Sequence, residues 1–311
     1  MKLVFFGSSE NSAEVLKFII SKKYNIEIIV TRKRKPKGRG LKLISNPLED
    51  VANQNKIKLL ETDDLNDPNV INELKSLKPD IFLIVSFGKL LSQKILDIPL
   101  RGVINIHPSL LPLYRGPSPI SSVILDGVKQ TGVTIMLLDK GIDTGPILIQ
   151  SDPVMLFGNE TTSELSKDLF LKGSELLVEI LDKYYQGKVN FTEQDHKFAT
   201  YTNLIKANEG EINWQENADY IFKRYRAFDK WPGIFTFWKG KRIKLIELEI
   251  FKNNFQKIKP GNIILYDKNL LIGTGSCPLR IFSLQLEGKK ISKSFDFVRG
   301  YKEILNQTLP S

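Results

Sequence analysis

The chain has 311 residues, a length that favours one domain of about 200 residues followed by a smaller one. Its composition, 41% hydrophobic and 26% charged residues, excludes a disordered or collagen-like chain, and its formal net charge of +10 favours a polyanionic partner. One cysteine and two histidines exclude an intramolecular disulfide and a zinc site with four Cys or His ligands, so we expect no metal. Without a signal-peptide pattern or an apolar run long enough to span a bilayer, we expect a cytoplasmic protein with no membrane partner.

Short apolar runs alternate with helical patterns through the first two-thirds of the chain, which is typical of a parallel sheet covered by helices. The predicted strands are Leu3 to Phe6, Ile26 to Val30, Ile57 to Leu60, Ile81 to Val85 and Val103 to Ile106. The predicted helices are Ala13 to Ile20, Pro47 to Asn53, Pro68 to Leu77 and residues 161–187. We therefore predict an α/β fold, with a Rossmann-like, mostly parallel sheet and helices on both faces.

The last third of the chain has a different pattern, with short β-type segments separated by turn residues. The predicted strands there are Phe235 to Phe237, Ile243 to Ile250, Ile263 to Tyr266, Leu270 to Gly273 and Leu279 to Leu286. Five short strands favour a small OB-like β-barrel, a fold that commonly binds nucleic acid. A β-rich dimerisation module is the alternative. The predicted domains are residues 1–187 and 207–311, joined by a linker over 188–206.

The positive charge is concentrated in two places. Residues 32–42 contain seven Lys or Arg and no acid, and residues 205–311 contain 19 basic and 11 acidic side chains. The rest of the chain is therefore mildly acidic. This distribution predicts a surface for a polyanion, with nucleic acid as the leading candidate. A solvated charge run is the alternative interpretation.

Asn105 and His107 stand two residues apart at the end of a predicted strand, so both side chains project from the same face. Ligands of open α/β sheets bind outside the carboxyl ends of the strands, which is where this pair lies. An amide and an imidazole at this place indicate a functional site, and a hydrogen-bonded pair in the core is the alternative.

A glycine-rich turn from Leu138 to Pro146 carries Asp143. An aspartate beside a glycine is often only a turn former. Together with Asn105 and His107, Asp143 completes a set that can stabilise an oxyanion, move a proton and hold the imidazole in its working protonation state. The sequence has no Gly-x-Ser-x-Gly, P-loop or dinucleotide-binding motif.

The combination of motifs is more specific than any one of them. Asn105 begins the sequence Asn-x-His-x-Ser-Leu-Leu-Pro, Arg115-Gly116 follows it, and Asp143-Thr-Gly-Pro comes later. In these three motifs, the chain resembles the folate-dependent formyltransferases. Other motifs are similar to the branch of that family that acts on charged tRNA: Gly38-Arg-Gly-Leu-Lys-Leu, Phe87-Gly-Lys-Leu-Leu, Lys206 with Ile212-Asn-Trp, Arg226-Ala-Phe and Trp231-Pro.

The resemblance implies transfer of the formyl group of 10-formyltetrahydrofolate to the amino group of methionyl-initiator tRNA. Asn105 would hydrogen-bond the developing oxyanion, a protonated His107 would stabilise it and then protonate the departing nitrogen, and Asp143 would orient His107 and help to remove the amine's proton. The folate site implied comprises Phe87, Gly88, Leu90, Ser109, Leu110, Leu111 and Pro112. The tRNA contacts implied are Arg39, Lys42 and Lys206. The expected partners are folate and charged initiator tRNA, and the expected enzyme is a monomer that uses no metal.

Three departures from the family pattern concern packing and loop shape rather than the three polar groups. They are Pro108 after the histidine, Gly116-Pro-Ser-Pro in place of the more usual Gly-Ala-Ala-Pro, and Ser9-Glu-Asn-Ser near the N-terminus. The alternative functions are a nucleotide-sugar N-formyltransferase with the same folate donor, a deformylase that uses water, and a non-catalytic RNA-binding protein.

Overall fold

The computed structural model describes residues 1–34, 36–37, 42–43, 46–252 and 258–310. The chain divides into two compact units, each made of more than one stretch of sequence. The first unit is Met1–Ile120, Lys129–Leu156 and Glu164–Asn203, and the second is Ser121–Val128, Phe157–Ser163 and Leu204–Ser311. The domain boundaries predicted from the sequence stay a prediction, but most of the segment predicted as a linker belongs to the first unit.

The secondary structure of the described residues is as follows. The strands are β1 (Leu3–Gly7), β2 (Ile26–Thr31), β3 (Pro36–Lys37), β4 (Lys42–Leu43), β5 (Lys58–Glu61), β6 (Ile81–Val85), β7 (Val103–His107), β8 (Gln130–Thr131), β9 (Thr134–Leu137), β10 (Ile147–Gln150), β11 (Val154–Met155), β12 (Ile234–Trp238), β13 (Lys241–Ile250), β14 (Ile263–Tyr266), β15 (Asn269–Ile272), β16 (Leu279–Leu286) and β17 (Ser292–Lys293). The helices are α1 (Glu10–Ser21), α2 (Pro47–Asn55), α3 (Pro68–Ser76), α4 (Gln93–Leu96), α5 (Pro119–Asp126), α6 (Thr162–Tyr185), α7 (Ala218–Ala227) and α8 (Ser294–Gly300). Short 3₁₀ turns lie at His196–Phe198, Ala207–Gly210 and Lys302–Ile304.

Seven strands of the first unit form one sheet in the order β10-β9-β7-β6-β1-β2-β5. Neighbours from β7 to β5 run parallel, whereas β9 and β10 extend the other edge in antiparallel pairing. Strands β1 and β6 are buried along their whole length, which explains why their sequences are apolar at successive positions instead of alternating. The predicted α/β fold with a Rossmann-like, mostly parallel sheet is confirmed.

The helices of the first unit begin at residues whose local hydrogen bonding favours a helix N-terminus. Ser9 caps α1: its side chain accepts a hydrogen bond from the Ser12 amide, and Ser12 Oγ accepts one from the Ser9 amide. Helices α2 and α3 begin at Pro47 and Pro68, since proline lacks the amide hydrogen that a first turn leaves unpaired. The four helices predicted from the sequence match α1, α2, α3 and α6.

Strands β12 to β16 of the second unit pair in the order β12-β13-β16-β15-β14, with β17 beside β16, and every pair is antiparallel. The five strands predicted for this part of the chain match β12 to β16, so the C-terminal β domain is confirmed. Its closure into an OB-like barrel stays a prediction. The indole of Trp238 meets the rings of Phe297 and Tyr301 edge-on, at centroid distances of 6.2 and 5.7 Å, which packs α8 against the sheet.

Helix α7 is not indicated by the sequence pattern because two of its buried positions, Arg224 and Arg226, are arginines. Arg224 forms an ion pair with Glu216 at 3.1 Å. Burial lowers the pKa of Arg226 below the usual arginine value, and Glu160 partly offsets this effect. The two charges are therefore part of the interior of the second unit.

Strand β7 connects the fold to the residues singled out in the sequence. It lies between β6 and β9 and ends at His107. Helix α6 approaches it closely: a Cβ added at Gly173 would lie 2.6 Å from Ile106 Cγ2 and 3.1 Å from Val133 Cγ1. Gly173 therefore lets α6 pack directly against this part of the sheet.

We predict that Gly173→Ala lowers the free energy of unfolding by up to about 2 kcal/mol. Overpacking a filled core costs about 1–3 kcal/mol, and alanine recovers about 1 kcal/mol relative to glycine inside a helix. Gly300→Ala is the matched control, because Gly300 ends α8 and nothing lies within 4 Å of its added Cβ. Urea unfolding measures both variants. Equal stability of the two would contradict the close approach of α6 to β7.

Candidate functional site

Asn105 and His107 lie at the carboxyl end of β7, as the sequence predicts. Asn105 pairs with Ile84 of β6 on one side and with Met136 of β9 on the other. The Asn105 side chain is half-buried, and no hydrogen bond joins its amide to any residue in the part of the chain that the structure describes. A hydrogen-bond donor is therefore held on a strand end without a partner among the residues that the structure describes.

Asp143 reaches the same place from the turn between β9 and β10. Its Oδ2 atom lies 3.6 Å from His107 Nδ1 and accepts a hydrogen bond from the Gly116 amide at 2.7 Å. The side chains of His107 and Asp143 are only 5% and 15% exposed, so water would screen the attraction between the carboxylate and an imidazolium only weakly. The structure thus brings together a carboxylate and an imidazole that are 36 residues apart in the sequence.

The turn that presents Asp143 has an unusual backbone. Asp143 has φ +52°, which lies in the left-handed region that residues other than glycine rarely adopt. Asp139 ties the start of the turn, since its Oδ1 accepts hydrogen bonds from the Gly141 amide at 3.0 Å and from Thr144 Oγ1 at 2.6 Å. A Cβ at Gly145 would lie 2.1 Å from the Leu137 carbonyl oxygen, so only glycine fits there. The turn's glycines and Asp139 serve its shape, whereas the Asp143 carboxylate faces the imidazole.

The other ring nitrogen of His107 is occupied by the backbone. His107 Nε2 lies 2.9 Å from the Tyr114 carbonyl oxygen. A carbonyl oxygen can only accept, so Nε2 must carry a hydrogen and donate it. The proton that His107 can gain or lose is therefore on Nδ1, the atom that faces Asp143.

The segment 114–116 holds both members of the pair, through the Tyr114 carbonyl and the Gly116 amide. Gly116 has φ +107°, and an added Cβ would lie 2.8 Å from the Thr202 carbonyl oxygen. Between them, Arg115 is fully buried and donates to Gln194 Oε1 at 2.7 and 3.1 Å. Sequence reasoning missed Gln194, because a single glutamine in a stretch without periodicity gives no signal.

The first group of predicted folate residues follows β6. Phe87 is 1% exposed and packs edge-on against Phe6 with the ring centroids 5.5 Å apart, so its side chain belongs to the core. Gly88 has φ +71°, and Leu90 is 77% exposed. Of the three predicted residues, Gly88 and Leu90 are exposed and could meet a ligand, whereas Phe87 could do so only through its backbone.

The second group follows His107 directly. Ser109 is fully buried, and its Oγ donates to the Leu113 carbonyl oxygen at 2.6 Å. The Leu111 amide donates to Thr134 Oγ1 at 3.1 Å, which fixes the segment to the residue paired with His107. Leu110 and Pro112 are half-buried. Ser109 therefore shapes the segment, and a ligand could contact Leu110, Pro112 and the backbone.

Only two of the three residues predicted to contact tRNA lie in the part of the chain that the structure describes. Arg39 lies outside the described residues, and Lys42 is in the two-residue strand β4. Lys206 is exposed and lies in the second unit, where its amide donates to Glu209 Oε1 at 2.7 Å. Arg34, from the same basic run as Arg39, pairs instead with two glutamates of the first unit, Glu49 at 3.1 Å and Glu61 at 3.4 Å.

Among the residues that the structure describes, no group of three or more His, Cys, Asp or Glu side chains could hold a metal ion. No helix found there is long and apolar enough to cross a bilayer.

Comparison with known proteins assigns the family. Residues 1–181 match the formyl transferase family, and residues 204–302 match the formyl transferase C-terminal domain. The chain belongs to the formyl transferase family. This formyl transferase is 39% identical over 300 residues to a Thermodesulfovibrio yellowstonii protein named methionyl-tRNA formyltransferase, covering 96% of both chains. A protein of the same name from Caldicellulosiruptor saccharolyticus is 38% identical over 306 residues, and the match covers 97% of each chain.

Solved structures share the fold of this formyl transferase at lower identity. HypX from Aquifex aeolicus, in complex with tetrahydrofolic acid, has a TM-score of 0.69 at 17% identity, covering 99% of this chain and 48% of that one. An N-formyltransferase from Helicobacter canadensis, in complex with folinic acid and dTDP-3-aminofucose, has a TM-score of 0.68 at 20% identity, covering 90% of this chain and 98% of that one. The family resemblance seen in the sequence motifs is confirmed.

We predict that neutral His107 carries its ring proton on Nε2, because the Tyr114 carbonyl needs a donor. The second histidine should have the same tautomer, since His196 Nδ1 lies 3.1 Å from Arg115 Nη2, which can only donate. Ring ¹⁵N chemical shifts measure the tautomer, and a His196→Gln variant assigns the two sets of signals. Detection of His107 with its proton on Nδ1 alone would contradict the hydrogen bond to Tyr114.

Proposed function

We propose that the protein transfers the formyl group of 10-formyltetrahydrofolate to the amino group of methionyl-initiator tRNA, giving formylmethionyl-tRNA for translation initiation. The relatives named methionyl-tRNA formyltransferase align with it over nearly its whole length, through both formyl transferase domains. The observation that carries the chemistry is the meeting of Asn105, His107 and Asp143 around the end of β7.

The formyl donor fits the groups present. When bound, 10-formyltetrahydrofolate supplies a one-carbon group whose carbonyl oxygen becomes negative as an amine adds to it. The amide of Asn105 has no hydrogen-bond partner among the described residues and can donate to that oxygen. We assign the binding of the donor to Leu90, Leu110, Pro112 and the backbone of Phe87 and Gly88. Ser109 and Leu111 support these groups.

Asn105 acts as the oxyanion donor. Because its backbone is fixed between β6 and β9, the amide needs little reorganisation when charge develops on the formyl oxygen. Preorganised donors of this kind lower the barrier more than the same groups do in water.

His107 and Asp143 transfer the protons of the reaction. With Nε2 donated to the Tyr114 carbonyl, protonated His107 presents its second hydrogen on Nδ1, where it favours negative charge on the reacting oxygen and then protonates the departing nitrogen. Asp143 Oδ2, 3.6 Å from Nδ1, favours the imidazolium and accepts, through water, the proton that the attacking amine loses. The three side chains suffice without a covalent intermediate on the enzyme.

The distribution of positive charge favours a tRNA as the acceptor. Residues 32–42 and 205–311 are strongly basic, which suits the phosphates of a tRNA, and a nucleotide-sugar acceptor requires no such surface. We assign Arg39, Lys42 and Lys206 to tRNA contacts. We also propose a cytoplasmic location and no membrane partner, because the proposed acceptor is a soluble substrate of translation. A monomer suffices for the chemistry, since all three proposed reacting groups come from one chain.

We predict that Asn105→Ala and His107→Ala each lower kcat for formyl transfer by about 100- to 1000-fold, the usual effect of removing one preorganised donor. The measurement is formylation of charged initiator tRNA with 10-formyltetrahydrofolate, with circular dichroism to show that each variant is folded. A folded variant with nearly normal kcat would exclude that residue from the proposed role.

We predict that Arg39→Ala raises KM for charged initiator tRNA and leaves KM for the folate donor unchanged. Loss of one phosphate contact should reduce the slope of log affinity against log salt by about 0.7–0.9. Arg34→Ala is the matched control, because Arg34 comes from the same basic run but pairs with Glu49 and Glu61. Equal changes in salt slope for the two variants, or a loss of folate affinity in Arg39→Ala, would contradict a direct tRNA contact at Arg39.

A further inference from the structure

Gln194 uses both ends of its side-chain amide inside the first unit. Its Nε2 donates to the carbonyl oxygens of Asp143 at 2.9 Å and Gly145 at 2.7 Å. Its Oε1 accepts from Arg115 Nε at 3.1 Å and Nη2 at 2.7 Å. The residue is 5% exposed, so water cannot readily replace these bonds.

These bonds close a ring through the candidate site. Asp143 is joined to His107 through their side chains, His107 to the 114–116 segment through the Tyr114 carbonyl, and that segment to Gln194 through Arg115. Gln194 returns the connection to the backbone of Asp143. The Gly116 amide thus holds the Asp143 carboxylate, and Gln194 holds the Asp143 backbone from the other side.

The backbone of Asp143 needs such support. A residue other than glycine in the left-handed region costs about 1–2 kcal/mol, and such a conformation persists only where surrounding contacts fix it. The carbonyls of Asp143 and Gly145 must be given donors, while the buried Arg115 must be given an acceptor. The glutamine amide offers donor hydrogens on one atom and an acceptor on the other, whereas an ionised glutamate only accepts and lysine only donates.

The far side of Arg115 is fixed independently of Gln194. The Arg115 amide donates to the Thr200 carbonyl at 2.9 Å, and its carbonyl accepts from the Thr202 amide at 2.7 Å. Arg115 Nη1 also donates to Tyr201 Oη at 3.1 Å. The acceptor end of Gln194 therefore meets an anchored partner, and what Gln194 adds is control of the turn at Asp143.

We propose that Gln194 is the positioning residue for the Asp143 carboxylate, an inference that rests on the role of Asp143 in the proposed formyl transfer. Gln194 acts through the backbone of Asp143 and Gly145 and does not itself touch the reacting atoms. It sets the approach of Asp143 Oδ2 to His107 Nδ1, and displacement of a reacting group by about 1 Å can cost about 100-fold in rate.

Two variants separate positioning from simple attachment of the 194–202 segment. Gln194→Glu keeps an acceptor for Arg115, with a charge that favours the pair, but removes the donor for Asp143 and Gly145. Gln194→Met removes both ends. Tyr184→Phe is the control, because it deletes a hydrogen bond to the Arg101 carbonyl, next to the opposite end of β7. Asp143→Asn gives the reference for a lost carboxylate.

We expect kcat to fall by about 10- to 100-fold in Gln194→Glu and Gln194→Met, with KM for both substrates changed less than twofold. Both variants should be folded at the assay temperature but have a lower Tm, because the buried carbonyls of Asp143 and Gly145 lose their donor. The ring ¹⁵N shifts of His107 should move toward those in Asp143→Asn, while Tyr184→Phe changes neither kcat nor shifts. Normal kcat and unmoved His107 shifts in a folded Gln194→Glu would overturn the proposal. Full activity of Asp143→Asn would refute the proposed role of Asp143 instead, and the His107 shifts would still report whether Gln194 sets the geometry.

Discussion

The hydrogen bond from His107 Nε2 to the Tyr114 carbonyl is the interaction on which the candidate site depends. It removes one ring nitrogen from chemistry and leaves Nδ1 as the atom that can exchange a proton. In a Ser-His-Asp arrangement, the carboxylate binds one ring nitrogen and the other faces the substrate. Here the Tyr114 carbonyl takes the orienting part, and Asp143 faces the ring nitrogen that can still exchange a proton. In the proposed mechanism, the carboxylate can therefore accept a proton in addition to supporting the imidazolium.

A backbone carbonyl can orient a catalytic ring only if that backbone is rigid, and the surroundings of the 114–116 segment supply rigidity through buried polar bonds. Arg115 lies within the first unit and is bonded to Gln194, Tyr201 and His196, which are neutral acceptors when His196 is unprotonated. Burying a guanidinium is costly, so such a network persists only where each donor finds an acceptor. The same requirement makes the network cooperative: removing one partner leaves others unsatisfied. Rigidity at His107 is thus obtained from hydrogen bonds of the neighbouring 114–116 segment.

Sequence patterns predict the scaffold and the candidate reacting groups, but not the contacts that hold these groups in place. The parallel strands are recognisable because strands buried on both faces have continuous apolar sequences, and Asn105 and His107 share a face because strand side chains alternate. The contact of His107 with Asp143 follows from the antiparallel pairing of β7 with β9, which spacing alone cannot show. Gln194 and the Tyr114 carbonyl lack any signal, because a backbone group is present in every residue and an isolated glutamine is usually a surface side chain. Helix α7 is missed for a related reason: buried arginines imitate an exposed face.

The same buried arginines change what the net charge means. Arg34 is paired with two glutamates in the first unit, and in the second unit Arg224 and Arg226 belong to the interior, so a count of basic residues overstates the surface available to a polyanion. Exposed lysines such as Lys206 are compact point charges that bind phosphates without reading bases. Phosphate contacts position a nucleic acid but carry no sequence information. Charge can therefore account for affinity toward tRNA as a class, whereas a preference for initiator tRNA requires contacts to bases or to the shape of its acceptor end, made by groups other than these lysines.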